Sequence, residues 1–145
     1  MDRTDYQILN LLQNDCRATL KVIGEQVGLT APAVSERVRR MEEKGVIRNF
    51  RIEVDRRQLD CNITGFILVA PEPDKYERFC RFCEKTPAIL SHSHTIGIFN
   101  AVLRFAVRDT QELDAILSSI KRYGNSQTSV ELGLYFDHKD IPLPG

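Results

Sequence analysis

Helical spacing in the first fifty residues, a change to extended patterning near residue 46, and strand–helix alternation from residue 63 divide the chain into unlike halves. Together they predict an α+β protein: an N-terminal winged helix-turn-helix domain followed by a ferredoxin-like βαββαβ sandwich domain. The expected bounds are 1–50 for the helical domain, 51–61 for a ribbon and hinge, and 62–145 for the sandwich.

In the first half, Thr4 and Gln7 have the spacing of a capping box. Ile8, Leu9, Leu11 and Leu12 follow at helical spacing, so a first helix is expected to about Asn14. Thr19 caps a second helix, with Leu20, Ile23 and Val27 inward and Gly28 ending it. Thr30 caps a third, and Pro32 sits in its first turn, where a missing N–H costs nothing. Val34, Val38 and Met41 give that helix its core stripe, and Gly45 stops it. Val46, Ile47, Phe50, Ile52 and Val54 then read as an extended ribbon or wing, and residues 56–60 as a hinge.

In the second half, residues 63–70 form an apolar strand. Pro71-Glu72-Pro73-Asp74 breaks it and opens a helix to about Lys85. Residues 89–96 and 99–107 read as strands joined by a turn at Gly97-Ile98. A helix over 109–122 has Asp109 or Thr110 as its cap and Leu113, Ile116, Leu117 and Ile120 on one face. Residues 128–136 supply the last strand. The order predicts a four-stranded antiparallel sheet with two helices on one face. The other face needs a cover, and self-association is the simplest.

Composition narrows the function classes. Lysine plus arginine total 20, as do aspartate plus glutamate, so nothing in the bulk charge suggests a protein that coats nucleic acid. No apolar run approaches the roughly 18 residues of a spanning helix. Met1-Asp2-Arg3-Thr4-Asp5 is acidic where an export signal is basic and then apolar. A soluble cytoplasmic protein with no membrane partner is expected, and Cys16, Cys61, Cys80 and Cys83 are expected as free thiols.

Three short helices, the last two joined through Val27-Gly28-Leu29-Thr30, make a helix-turn-helix candidate. On the third helix Pro32, Ala33, Glu36, Arg39, Arg40 and Glu43 point away from the core stripe, with Ser35 and Arg37 on its flanks. Small residues at its start allow close approach to base edges, and arginines farther along reach phosphates or guanine. The window 37–57 holds eight basic residues against four acidic ones, a local surplus in a chain of zero net charge.

Residues 1–60 resemble the N-terminal domain of the Lrp/AsnC family of bacterial and archaeal transcription regulators. The resemblance is carried by Asp5-Tyr6-Gln7-Ile8-Leu9, Leu12-Gln13-Asn14-Asp15-Cys16-Arg17, Val27-Gly28-Leu29-Thr30, Val34-Ser35-Glu36-Arg37-Val38 and Met41-Glu42-Glu43-Lys44-Gly45-Val46-Ile47. The βαββαβ half is similar, by topology, to that family's effector-binding domain. The resemblance implies a sequence-specific regulator of double-stranded DNA in the cytoplasm, associated with the nucleoid. It implies dimers formed through the second-domain sheets and assembling to octamers, with an amino acid or related small effector between second domains. Thr30, Pro32, Ala33, Ser35, Glu36, Arg37, Arg39 and Arg40 would then meet the major groove, with Arg48 and Arg51 on the backbone nearby. Gly97, Ile98, Phe99, Asn100 and Thr128 would meet the effector.

Three departures from the family pattern matter. Gly97-Ile98-Phe99-Asn100 stands where the family has Gly-x-aromatic-Asp, and a neutral Asn100 can hydrogen-bond an ammonium but not pair with its charge. Gly24 replaces a frequent alanine, and Val22 a frequent glutamate.

Two rival readings share the scaffold. Sirohaem decarboxylases resemble Lrp/AsnC proteins in both halves, but Gly97 stands where their histidine is expected, and no enzyme activity is expected here. A DNA-compacting architectural protein with little sequence preference is the other. Cys80 and Cys83 form a CxxC followed by His92 and His94, a pattern zinc uses when all four groups converge. Tyr76, Phe79, Cys80 and Cys83 instead share one helical face, where cysteine acts as a small hydrophobe, so neither metal nor cofactor is expected.

Overall fold

A computed structural model describes residues 1–136 and 139–143. The remaining four positions of the expected second domain lie outside the described residues. The chain divides into two compact units: Met1–Glu53 together with the segment from Phe136 onward, and Val54–Tyr135.

The first unit holds α1 (Arg3–Asn14), α2 (Leu20–Val27) and α3 (Ala31–Glu43). Its core is Ile8, Ile23, Val34 and Met41, with Leu9, Leu12, Val27, Leu29 and Val38 packed around it. Full burial of such a side chain contributes about 1.5–3 kcal/mol. Four of them make a small core, so the helix caps and polar contacts carry weight. Thr19 and Thr30 accept from the backbone N–H groups of Val22 and Ala33 as expected, and α2 ends on Gly28 in the left-handed conformation. Gly24 lets α2 approach the turn: a Cβ there would stand 2.4 Å from the Leu29 carbonyl oxygen.

The first cap differs from the expected Thr4/Gln7 box. Asp2 is the N-cap and Asp5 the N3 residue, each carboxylate accepting the other's backbone N–H at 2.9 and 3.0 Å. An aspartate pair at this spacing satisfies two helix-end donors reciprocally, so the helix begins one residue before Thr4.

The expected ribbon over 46–54 also differs. These residues run without strand pairing among the described residues, and Arg56–Leu59 forms a 3-10 turn rather than an open hinge. Alternating apolar residues make a strand only where a neighbouring strand takes their N–H and C=O groups.

The second unit has β1 (Ile63–Pro71), α4 (Tyr76–Lys85), β2 (Ile89–His94), β3 (Ala101–Val107), α5 (Thr110–Ile120) and β4 (Gly124–Val130). The sheet order is β2-β3-β1-β4, antiparallel throughout. Ile67, Val69, Leu103, Phe105 and Val107 face α4 and α5, which contribute Phe79, Cys83, Leu113, Ile116 and Ile120 to one core. Alternation sends Phe66, Leu68, Val102 and Arg104 to the opposite face, where Leu68 pairs Val102 across the strands and Arg104 stands 3.9 Å from Glu131.

Three boundaries moved. Pro71 does not break β1 but ends it, paired with Gly124. The hairpin strands are shorter than expected, and the connection over 95–100 is held by Thr95, whose N–H donates to Asn100 O at 2.9 Å and whose hydroxyl donates to Phe99 O at 3.0 Å. β4 begins four residues early and ends at Val130, not Phe136. Its polar stretch Asn125-Ser126-Gln127 is strand because β1 supplies ladder partners Ala70, Val69 and Leu68. The apolar run Leu132, Leu134, Tyr135 and Phe136 has none and is exposed.

Candidate nucleic-acid interface

The turn between α2 and α3 places α3 with Val34 and Met41 buried and Pro32, Ser35, Glu36, Arg39, Arg40 and Glu43 exposed. Thr30 is exposed at its N-cap and Ala33 half-buried. Arg48 and Arg51 are exposed on the following segment. Of the ten residues expected at DNA, eight are exposed, and Ala33 and Arg37 are half-buried.

Arg37 is placed otherwise. Its Nη1 donates to Asp2 at 2.7 Å and to Asp5 at 2.6 Å, and only 23% of the side chain is exposed. The guanidinium therefore ties α3 to the start of α1. Burial of Asp5 works against its charge, but the Asp2 backbone N–H and the Arg37 guanidinium outweigh it and hold this carboxyl below the ordinary value of 3.8. Arg37, then the Asp5 N–H, hold Asp2 low as well. Two aspartates three residues apart were the signal in the sequence; the partner 32 positions away was not legible there.

Arg39 is also engaged, but on the exposed surface. Its Nε and Nη2 fork onto Glu36 at 3.0 and 2.7 Å, and its Nη1 donates to Glu43. The exposed residues of α3 include three acids, Glu36, Glu42 and Glu43, against two bases, Arg39 and Arg40. With Arg37 and Arg39 engaged, Arg40, Lys44, Arg48 and Arg51 are the exposed cations that carry the basic character of the window, with Arg56 half-buried beyond them. Beside the Asp2–Arg37–Asp5 clamp, a cleft of about 310 Å³ is lined by Arg40, Met41 and Lys44.

The expected effector residues fall in two places. Gly97 and Ile98 are exposed at the tip of the β2–β3 connection, with Phe99 and Asn100 half-buried behind them. Asn100 Oδ1 is enclosed and lacks a hydrogen-bond partner. Thr128 pairs with Ile67, and strand β1 separates it from β3. Two strand spacings, roughly 10 Å, therefore part it from the hairpin that ends in the turn.

The CxxC histidine neighbourhood is a packing site. His92 meets the Phe79 ring edge-on, and Tyr76 bonds His94 Nδ1 at 2.6 Å. Burial pushes the Cys83 thiol up to about 12, with Cys80 adding to it. Among the described residues no three His, Cys, Asp or Glu side chains gather as metal ligands would. Among them, no helix is long and apolar enough to cross a membrane.

A capped three-helix unit that presents one helix to solvent is the architecture of a helix-turn-helix DNA-binding protein, here joined to a separate sheet domain. The AsnC-type helix-turn-helix model matches residues 1–42, and the Lrp/AsnC ligand binding domain model matches residues 64–141. The chain belongs to the Lrp/AsnC family of transcriptional regulators. The uncharacterized regulator YezC of Bacillus subtilis is 31% identical over 132 residues, 91% of this chain and 94% of its own. The regulator FL11 of Pyrococcus horikoshii is 29% identical, covering 99% and 97%. Among solved structures, Bacillus subtilis LrpC superposes with a TM-score of 0.88 at 24% identity, over 96% of this chain and 99% of that one. The Neisseria meningitidis regulator NMB0573, solved with L-Met, gives 0.89 at 22% identity over 98% and 96%.

Proposed function

We propose that this regulator reads a specific DNA site with the exposed face of α3, as a homodimer that assembles further toward an octamer. In this reading residues 1–50 bind DNA, 51–61 link, and 62–145 assemble the oligomer and bind the effector. It acts as a regulator rather than an enzyme, with no cofactor, on chromosomal DNA in the cytoplasm of a bacterial or archaeal cell. The supporting observation is α3 itself: its apolar stripe is spent on the core, leaving Pro32, Ser35, Glu36, Arg39 and Arg40 exposed on the side that would enter a major groove. Two such helices in a dimer would read half-sites about one helical turn apart or a multiple of it.

An amino acid or related molecule is the proposed effector, bound at Gly97, Ile98, Phe99 and Asn100. The enclosed, unbonded Asn100 Oδ1 supports that choice, since it can accept from a ligand N–H. The L-Met complex of the Neisseria relative supports the chemical class. Thr128, two strands away, would join such a site only from the partner copy.

A gel-shift titration on the DNA upstream of the protein's own gene, beside a scrambled fragment of equal length at two salt concentrations, tests the DNA reading. Preference for the upstream fragment that survives competitor supports it. Equal, strongly salt-dependent binding to both would replace it with the architectural reading, because phosphate contacts carry no sequence information. Binding to neither would return weight to an enzyme on this scaffold.

Arg40→Ala is expected to weaken specific binding about tenfold, as the loss of one charge-assisted contact would, and to leave the oligomer unchanged. Unchanged affinity would remove Arg40 from the contact set. Leu68→Glu places a charge on the open sheet face and is expected to give monomers by light scattering. An unchanged mass would show that another surface assembles the protein.

A further inference from the structure

The α3 surface that would meet DNA is not simply basic. Arg39, its central cation, is enclosed by two acids: Glu36 takes both Nε and Nη2, and Glu43 takes Nη1. All three side chains are more than half exposed. Solvent-exposed pairs of this kind are weak enough to open when a better partner arrives. Arg39 also holds the Glu36 carboxyl below its ordinary value of 4.5, so this acid is ionised wherever DNA is bound. With Arg37 drawn into the Asp2–Asp5 clamp, the exposed residues of α3 (Glu36, Arg39, Arg40, Glu42 and Glu43) carry no basic surplus.

An acid on a groove-facing helix repels phosphate. It gains only where a base edge offers a donor, as the cytosine N4 amino group does to a carboxylate in the major groove. A free arginine in the same place would bind any phosphate within reach, at any sequence. Held by two carboxylates, it engages the backbone less readily, and a matching base pair that engages Glu36 frees the guanidinium for a neighbouring acceptor.

We propose that Glu36 and Glu43 are specificity-determining residues: they restrain Arg39 in the free protein and so suppress binding to DNA of the wrong sequence. The proposal rests on the DNA-binding reading of α3 and adds the repulsive element that discrimination between sites requires.

The test is a binding titration of the full chain carrying Glu36→Gln and Glu43→Gln, on the preferred and the scrambled fragments, over a range of salt. Affinity for the scrambled fragment is expected to rise about tenfold, and its log–log salt slope to steepen by about 0.9 for the one phosphate contact that Arg39 then makes. Affinity for the preferred fragment should rise far less, so the ratio between them falls. Adding Arg39→Ala should cancel the gain on the scrambled fragment, which a general loss of negative charge would not allow. No change on the scrambled fragment, an equal gain on both, or a gain that survives Arg39→Ala would each overturn the proposal. A parent protein that binds neither fragment overturns the DNA reading, and this proposal with it, before any variant is compared. Circular dichroism checks that the exposed substitutions leave the helices formed.

Discussion

Replacing Arg37 by alanine is expected to destabilise the helical unit by about 1–3 kcal/mol, because it leaves Asp5 enclosed with one donor where it had two. In a unit of this size that is a fall of roughly 4–8 °C in melting temperature per kcal/mol. Arg37→Lys should recover only part of the loss. An ammonium keeps the charge but is a point donor, lacking the reach of a planar guanidinium between two carboxylates. The pH dependence has a definite sign. Both aspartates are held below the ordinary 3.8, so the stability they confer is present above that pH and is lost as pH falls through their lower folded values. The stability margin of the parent over Arg37→Ala should therefore be full above pH 3.8 and shrink as pH falls below it. Hydrogen exchange across α1 and α3, read by mass spectrometry, measures both effects. Full stability in Arg37→Ala with weakened DNA binding would reverse the assignment and make Arg37 a groove contact.

Gly65→Val is expected to cost about 3 kcal/mol and to disorder the centre of the sheet. A Cβ at Gly65 would stand 2.0 Å from the Ser129 carbonyl oxygen on β4 and 3.0 Å from Phe105 Cε1 on β3. The first obstruction is backbone, so no rotamer change relieves it; β1 must move away from β4. Gly65→Ala carries the same Cβ and should show most of the loss, even though alanine lowers the entropy of the unfolded chain. The protein has no tryptophan, so exchange protection over β1 and β4 is a better readout than fluorescence. An alanine variant within about 0.5 kcal/mol of the parent, the usual range for a change that meets nothing, would show that the strands yield freely.

What was legible in the sequence followed local rules. The Thr19 and Thr30 caps, the Gly28 stop and the Val34–Val38–Met41 stripe depend on residues within two helical turns of one another, and the structure has them as read. The strand and helix order of the second half was legible for the same reason. The misses share a different cause. β4 was displaced because its polar residues gain their strand conformation from β1, more than fifty positions away. The ribbon over 46–54 has strand-like alternation but no pairing strand among the described residues. At the candidate interface, the exposed face of α3 was readable from periodicity, whereas the occupation of Arg37 was not. Spacing alone does not show which of several arginines on a helix finds a carboxylate on another element.

Gln13 on α1 donates its side-chain amide to Ile141 O at 3.2 Å and accepts the Ile141 N–H at 3.0 Å, reproducing across 128 positions the paired bonds of a strand bridge. The sheet unit is thus an insertion between two pieces of the helical unit, entered after Glu53 and left at Tyr135. During synthesis the three helices leave the ribosome first, and their small core can close at once from local contacts. The strap at Ile141 becomes available only after all four strands have been made. Its docking closes a ring whose entropic cost grows only slowly with length. In order of assembly, the first unit to begin folding is therefore the last to be finished.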